Sequence, residues 1–212
     1  MRIFTFLALL VAAIPTSLNA GLATSMPAIP DEVAMFREQW GIVQKARQER
    51  DCTTLKGLLI PNGVRIAVKD RSISRAGLLQ AANAWNKALG ANFVRVVDSV
   101  DEANMTVNLV DGIGEDHESQ GDIEVFETGD GVFSAQVLVD VHSGNRSLTD
   151  REIGAVVTHE LGHFLGLDDL PGDNQIMGEF DPDHLVVHPS NDEANAVLNL
   201  RNRIKQAIRD IR

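Results

Sequence analysis

The stretch His159-Glu160-Leu161-Gly162-His163-Phe164-Leu165-Gly166-Leu167-Asp168-Asp169 decides how the rest of the chain is read. An α-helix turns about 100° per residue, so His159 and His163, four apart, share one face and can grip one metal ion. Two imidazole nitrogens and one further ligand hold Zn²⁺ tetrahedrally with a fourth position left for water, the catalytic rather than the structural arrangement. Glu160, one step round the helix, is placed to take a proton from that water, whose pKa falls to about 7 on zinc. Gly166 stands where the helix ends in a left-handed residue, which lets the chain turn back and carry Asp169 to the metal. Asp168 is a neighbouring candidate and spacing alone selects Asp169; His184 and His188, farther along the chain, also compete for the place of third ligand.

These residues resemble the metzincin metalloproteases, whose pattern is HExxHxxGxxH followed by a methionine-containing turn. An aspartate in the third ligand position is similar to the variant in snapalysin-like members. Gln175-Ile176-Met177-Gly178 resembles the Met-turn, with Met177 as the hydrophobic floor beneath the metal. The resemblance covers residues 61–212 in element order, and its specific motifs lie between 159 and 178. It implies an α/β fold of the α+β zincin kind, with a twisted, mostly parallel sheet, a backing helix, an active-site helix, the Met-turn and a C-terminal helix. It also implies a matrixin-like zinc metalloendopeptidase acting on protein or peptide substrates, with Asp181 to Pro189 walling the pocket for the residue after the scissile bond. The chain has no tyrosine, so the tyrosine that assists zinc in some metzincins has no counterpart, and oxyanion help falls to zinc and backbone donors. Two further readings stand beside this one. One is a zinc hydrolase of another bond or an exopeptidase, and the second a non-catalytic exported binding protein, which would have no reason to keep Glu160 beside the metal.

Working outward, 212 residues suit one domain with a substantial core plus an N-terminal extension. Residues 1–20 read as a secretory signal peptide: Arg2, an apolar run from Ile3 to Ile14, then Pro15 and a small-residue exit at Ala20. The apolar run is too short for a membrane span, so the expectation is a soluble protein, secreted or periplasmic. The formal charge of −11 becomes more negative once Arg2 leaves, which argues against nucleic acid or anionic membrane as the main partner. Cys52 is the single cysteine, so stability must come from packing and metal.

Residues 21–60 form an N-terminal extension. Val33, Phe36, Trp40 and Val43 fall at helical spacing over residues 31–50, a stripe that packs on the main domain or belongs to an inhibitory propeptide. A thiolate is a good zinc ligand, and matrixin propeptides block zinc with a cysteine. Cys52, however, lies in Arg50-Asp51-Cys52-Thr53 rather than in the Pro-Arg-Cys-Gly context, so an inert thiol is the default. Val64, Ile66 and Val68 mark a strand, Leu78, Ala82, Trp85 and Leu89 a helix from about Ser72 to Leu89, and 93–98 and 105–110 further strands. A crossover of this length implies parallel pairing. Asp111 to Asp122 is an acidic, glycine-rich loop. It has the carboxylates Ca²⁺ favours but no EF-hand spacing, and His117 does not reproduce the matrixin structural-zinc pattern. Ile123 to Val141 reads as a hairpin, and residues 121–127 as the edge strand that in metzincins pairs with the substrate backbone. Thr149 with Glu152, and Ser190 with Glu193, make capping boxes for the active-site and closing helices. Asn104-Met105-Thr106 and Asn145-Arg146-Ser147 are glycosylation sequons.

Overall fold

Alternating burial builds the sheet and helical burial builds the layer behind it. The computed structural model describes residues 2–4, 37–69, 75–113, 119–127 and 130–211. In chain order these hold β1 (Arg2–Phe4), α1 (Arg37–Gln48), α2 (Cys52–Leu58), β2 (Val64–Val68), α3 (Arg75–Leu89), β3 (Val94–Val96), β4 (Met105–Val110), β5 (Gly121–Glu127) and β6 (Phe133–Asp140). The two-residue strands β7 (His142–Ser143) and β8 (Arg146–Ser147) follow, then α4 (Asp150–Phe164) and α5 (Asn191–Ile211).

The sheet runs β1-β5-β6-β4-β2-β3. Strands β3, β2, β4 and β6 are parallel, and β5 returns antiparallel to β6 with Gly121 opposite Val139. This is the mostly parallel α/β architecture expected from the strand, helix, strand spacing. Arg2–Phe4 pairs antiparallel with the outer edge of β5; the rest of the expected leader lies outside the described residues. One residue in two along β6 is buried, and Ala135, Val137 and Val139 meet Val107 and Ile66 from the neighbouring strands in one core.

Leu78, Ala81, Ala82 and Trp85 of α3 and Ile153, Val156, Val157 and Leu161 of α4 fill the other side of that core. The two helices approach closely because each offers a glycine at the contact: a Cβ on Gly77 would meet the Asp150 carbonyl, and one on Gly154 the Gln80 amide. The buried Trp85 indole donates to the Thr158 carbonyl at 2.8 Å, which ties α3 to the turn of α4 just before His159.

Both capping boxes form. Thr149 N–H donates to Glu152 Oε2 at 2.7 Å, and the Glu152 carboxylate also takes the Arg146 guanidinium at 3.1 Å. The Arg146 hydrogen bond, working against burial and helped by the Thr149 donors, lowers the Glu152 pKa from 4.5 to about 2. A carboxyl depressed on folding stabilises the fold above its ordinary pKa, and that contribution is lost as pH falls through the folded value. Glu152→Gln is therefore expected to cost about 2 kcal/mol near neutrality, allowing for the solvent around Arg146. In urea titrations at stepped pH the gap from wild type should close between about pH 5 and 2; a pH-independent gap would refute the charge-based account.

The helix read over 31–50 is present in its described part as α1, and a short second helix that was not read follows it: Arg50 is left-handed at φ 55°, Asp51 accepts from the Thr53 and Thr54 amides at 2.9 and 3.0 Å, and α2 starts at Cys52. Val33, Phe36 and the Trp40 side chain lie outside the described residues, but Val43 and Ala46 of α1 and Leu55 of α2 form a second core with Leu200, Ile204 and Ala207 of α5. The strand read over 93–98 keeps only Val94–Val96. The first sequon is spent on structure, since the Asn104 side chain accepts from Arg65 N–H at 2.7 Å and donates to the Gly63 carbonyl at 3.1 Å. Asn145 is exposed beside the β7–β8 turn.

Candidate active site

Ile153, Val157, Leu161 and Phe164 bury one face of α4, and the half-buried His159 and His163 look the other way into a cleft of about 850 Å³. Their Nε2 atoms stand 3.1 Å apart. Asp169 Oδ1 lies 3.2 Å from the first and 3.4 Å from the second. Ligand bonds of about 2.0–2.1 Å in a tetrahedral zinc site give ligand–ligand edges of about 3.3–3.4 Å, so the three separations fit one face of such a tetrahedron. The donor set also fits, two imidazoles and a carboxylate being ordinary zinc ligands with a fourth position to spare.

The imidazoles are braced from behind. His159 Nδ1 is 2.8 Å from the Ile176 carbonyl and His163 Nδ1 is 2.8 Å from the Leu167 carbonyl. A carbonyl can only accept, so each Nδ1 carries the proton and each Nε2 is turned to the shared point. The second brace follows from the end of the helix. Gly166 is left-handed at φ 100°, its N–H donates to the His163 carbonyl at 2.9 Å, and the Leu167 N–H reaches back to the Gly162 carbonyl at 3.0 Å. That closure reverses the chain and brings both the Leu167 carbonyl and Asp169 beside His163.

Met177 is wholly buried, with its sulfur against Gly162 of α4. It fits because residue 162 is glycine: a Cβ there would collide with the Met177 sulfur. The turn is held by Glu193, also wholly buried, whose Oε1 accepts the Met177 N–H at 2.8 Å while Oε2 accepts the Ser190 N–H at 2.6 Å.

Glu160 is 4% exposed and sits under the start of β5, where a Cβ on Gly121 would strike its Oε1. Burial raises its pKa, opposed by the His159 and His163 charges and assisted by Asp122 and Asp169. Burial would lower His163, but its hydrogen bond with Asp169 and the charges of Glu160 and Asp169 outweigh that and bring it to about 9. The Asp169 carboxyl is held well below the usual range by the hydrogen bonds from His159 and His163.

No family model matches the chain, and no curated protein matches it in sequence. Among solved structures it is similar to archaemetzincin from Methanopyrus kandleri, with a TM-score of 0.47 and 14% identity over 67% of this chain and 97% of that one. At that level the likeness assigns neither chemistry nor substrate.

The remaining sequence candidates fall elsewhere. Asp168 lines the cleft without joining the convergent group. His184 pairs with Asp181 at 2.8 Å, and His188 is exposed and not among the residues lining the cleft. Cys52 opens α2, which packs on α5, and no cysteine lines the cleft. Among the described residues no convergent ligand group lies in 111–122, the loop considered for Ca²⁺; 114–118, with His117, lie outside them. The two carbonyl braces, the grip of Glu193 on Met177 and the clearance at Gly121 and Gly162 were not foreseen. Only Glu193 carried a signal, as half of a capping box.

Proposed function

We propose that the chain is an exported zinc-dependent metalloendopeptidase, matrixin-like with the aspartate third ligand of snapalysin-like members. The observation that carries this reading is the convergence of His159 Nε2, His163 Nε2 and Asp169 Oδ1 at tetrahedral spacing, with the Glu160 carboxyl buried beside them in an open cleft. Those three side chains would hold zinc, which when bound acts as a Lewis acid and brings a coordinated water within reach of deprotonation near neutral pH. Glu160 takes the proton from the attacking water and returns it to the departing amine nitrogen, which completes hydrolysis of the amide bond. Its fixed place beside the metal group lets one carboxyl serve both transfers. The first residues of β5 flank Glu160, so an extended peptide paired along that strand would run past it. Removal of the leader, which includes Arg2–Phe4, frees the outer edge of β5 for such pairing.

The test combines metal analysis with peptide cleavage. The leader-free protein is expected to hold about one zinc per chain. By mass spectrometry it should make internal cuts in peptides blocked at both ends, stop on chelation and resume when zinc returns. A zinc-loaded protein that cuts none of them would overturn the reading, and trimming confined to free-ended peptides would replace it with an exopeptidase.

A further inference from the structure

Resting on that reading, we infer that the substrates are cationic peptides, extended segments carrying lysine or arginine close to an apolar residue. The inference comes from the walls of the cleft. Besides Glu160 and Asp169, four carboxylates line it, Asp122 on β5, Asp168 after α4, and Glu179 and Asp181 beyond the Met-turn. Among the described residues no lysine or arginine lines it.

A divalent ion at His159, His163 and Asp169 is balanced by Asp169 and Glu160 together, so the other four carboxylates set the sign of the cleft. Asp181 shares its charge with His184 at 2.8 Å, whereas Asp122 and Glu179 are exposed, one before the metal group in the chain and one after it. The net charge of −11 extends the same sign over the molecule. Charges lining a concave, low-dielectric site focus its field and raise the local concentration of an oppositely charged ligand. Leu170, Phe180, Leu185 and Val186 supply an apolar wall in the same cleft. A peptide with one apolar side chain against that wall and basic neighbours meets both features. An acidic peptide, or one presenting a free carboxylate, meets repulsion.

The experiment uses two peptides blocked at both ends, with the same apolar centre flanked either by lysine and arginine or by glutamate. Cleavage by the zinc-loaded protein is followed as kcat/KM, and binding to the zinc-loaded Glu160→Gln form by fluorescence anisotropy of the same peptides. The basic peptide is expected to lead by about tenfold or more at low ionic strength. The lead should shrink toward parity in about 0.5 M salt, where screening lengths fall below the width of the cleft. Glu179→Lys, which reverses one exposed charge, should narrow it several-fold. Cleavage with no charge preference, or with a preference indifferent to salt and to Glu179→Lys, overturns the inference and leaves the endopeptidase reading standing, and binding with no such preference and no cleavage overturns both. Charge-selective binding with no cleavage does the reverse. A protein that neither binds nor cuts either peptide overturns both.

Discussion

Glu160→Gln is expected to lower kcat/KM on a blocked peptide by about 10²–10⁴-fold while leaving the zinc content at one per chain. The two outcomes separate because of where the carboxyl lies. It is not among the three groups that converge on the metal position, and its Oε1 is lodged under the backbone of Gly121. Glutamine has the same shape and can occupy the same space, so the fold and the metal group survive. What is lost is the capacity to accept a proton from water and return it to nitrogen. Metal analysis beside steady-state kinetics checks both halves. A variant within tenfold of wild type would sink the assignment of Glu160 as the base, and one that lost its zinc would show that its role is to support the ligands.

Glu193→Ala is expected to be the most damaging change remote from the chemistry. The side chain has no exposed surface and satisfies two backbone donors, Met177 N–H and Ser190 N–H. Removing it strands a buried donor under the metal group and opens a void at the start of α5, at a cost of about 2–4 kcal/mol. For a chain of this size that corresponds to a Tm lower by about 5–15 °C. The loss should reach the metal as well, because the carbonyl that orients His159 belongs to Ile176, next to the residue Glu193 holds. Loss of such outer support commonly weakens metal affinity about 10–100-fold. Calorimetry for Tm and competition with a chelator for zinc test the two effects. Glu193→Gln, which keeps one acceptor oxygen, should fall between; an unchanged Tm would refute the account.

The parts of this molecule that were legible in its sequence are those set by neighbours in the chain. His159, Glu160 and His163 lie within two turns of one helix, Gly166 closes that helix where a left-handed residue is needed, and both capping boxes span four residues. The alternation in β2, β4, β5 and β6 likewise reflects local geometry meeting one buried face. What escaped is carried by backbone carbonyls or by missing atoms. The Ile176 and Leu167 oxygens brace the histidines, yet any residue offers such an oxygen, so no residue type announces it. Gly121 and Gly162 matter for what they leave room for, Glu160 and Met177, which only the folded chain brings near. The short helix α2 did have a local sign, Asp51 two and three residues ahead of Thr53 and Thr54, but at seven residues it is too short to show an apolar period.

The second core has a bearing on when the protein becomes complete. It joins α1 and α2 to the last helix, with the Arg50 guanidinium reaching the Ile211 carbonyl at 2.9 Å and Arg47 meeting Asp210 at 3.5 Å. The opposite end of α5 supplies Glu193, which holds the turn under the histidines. A chain delivered amino end first therefore has α1 and α2 waiting for α5, a helix of 21 residues. The histidine brace waits for the same event. Synthesis or passage through a pore would have to deliver α5 before the metal group acquired its support, so the order of arrival by itself delays the appearance of a working centre.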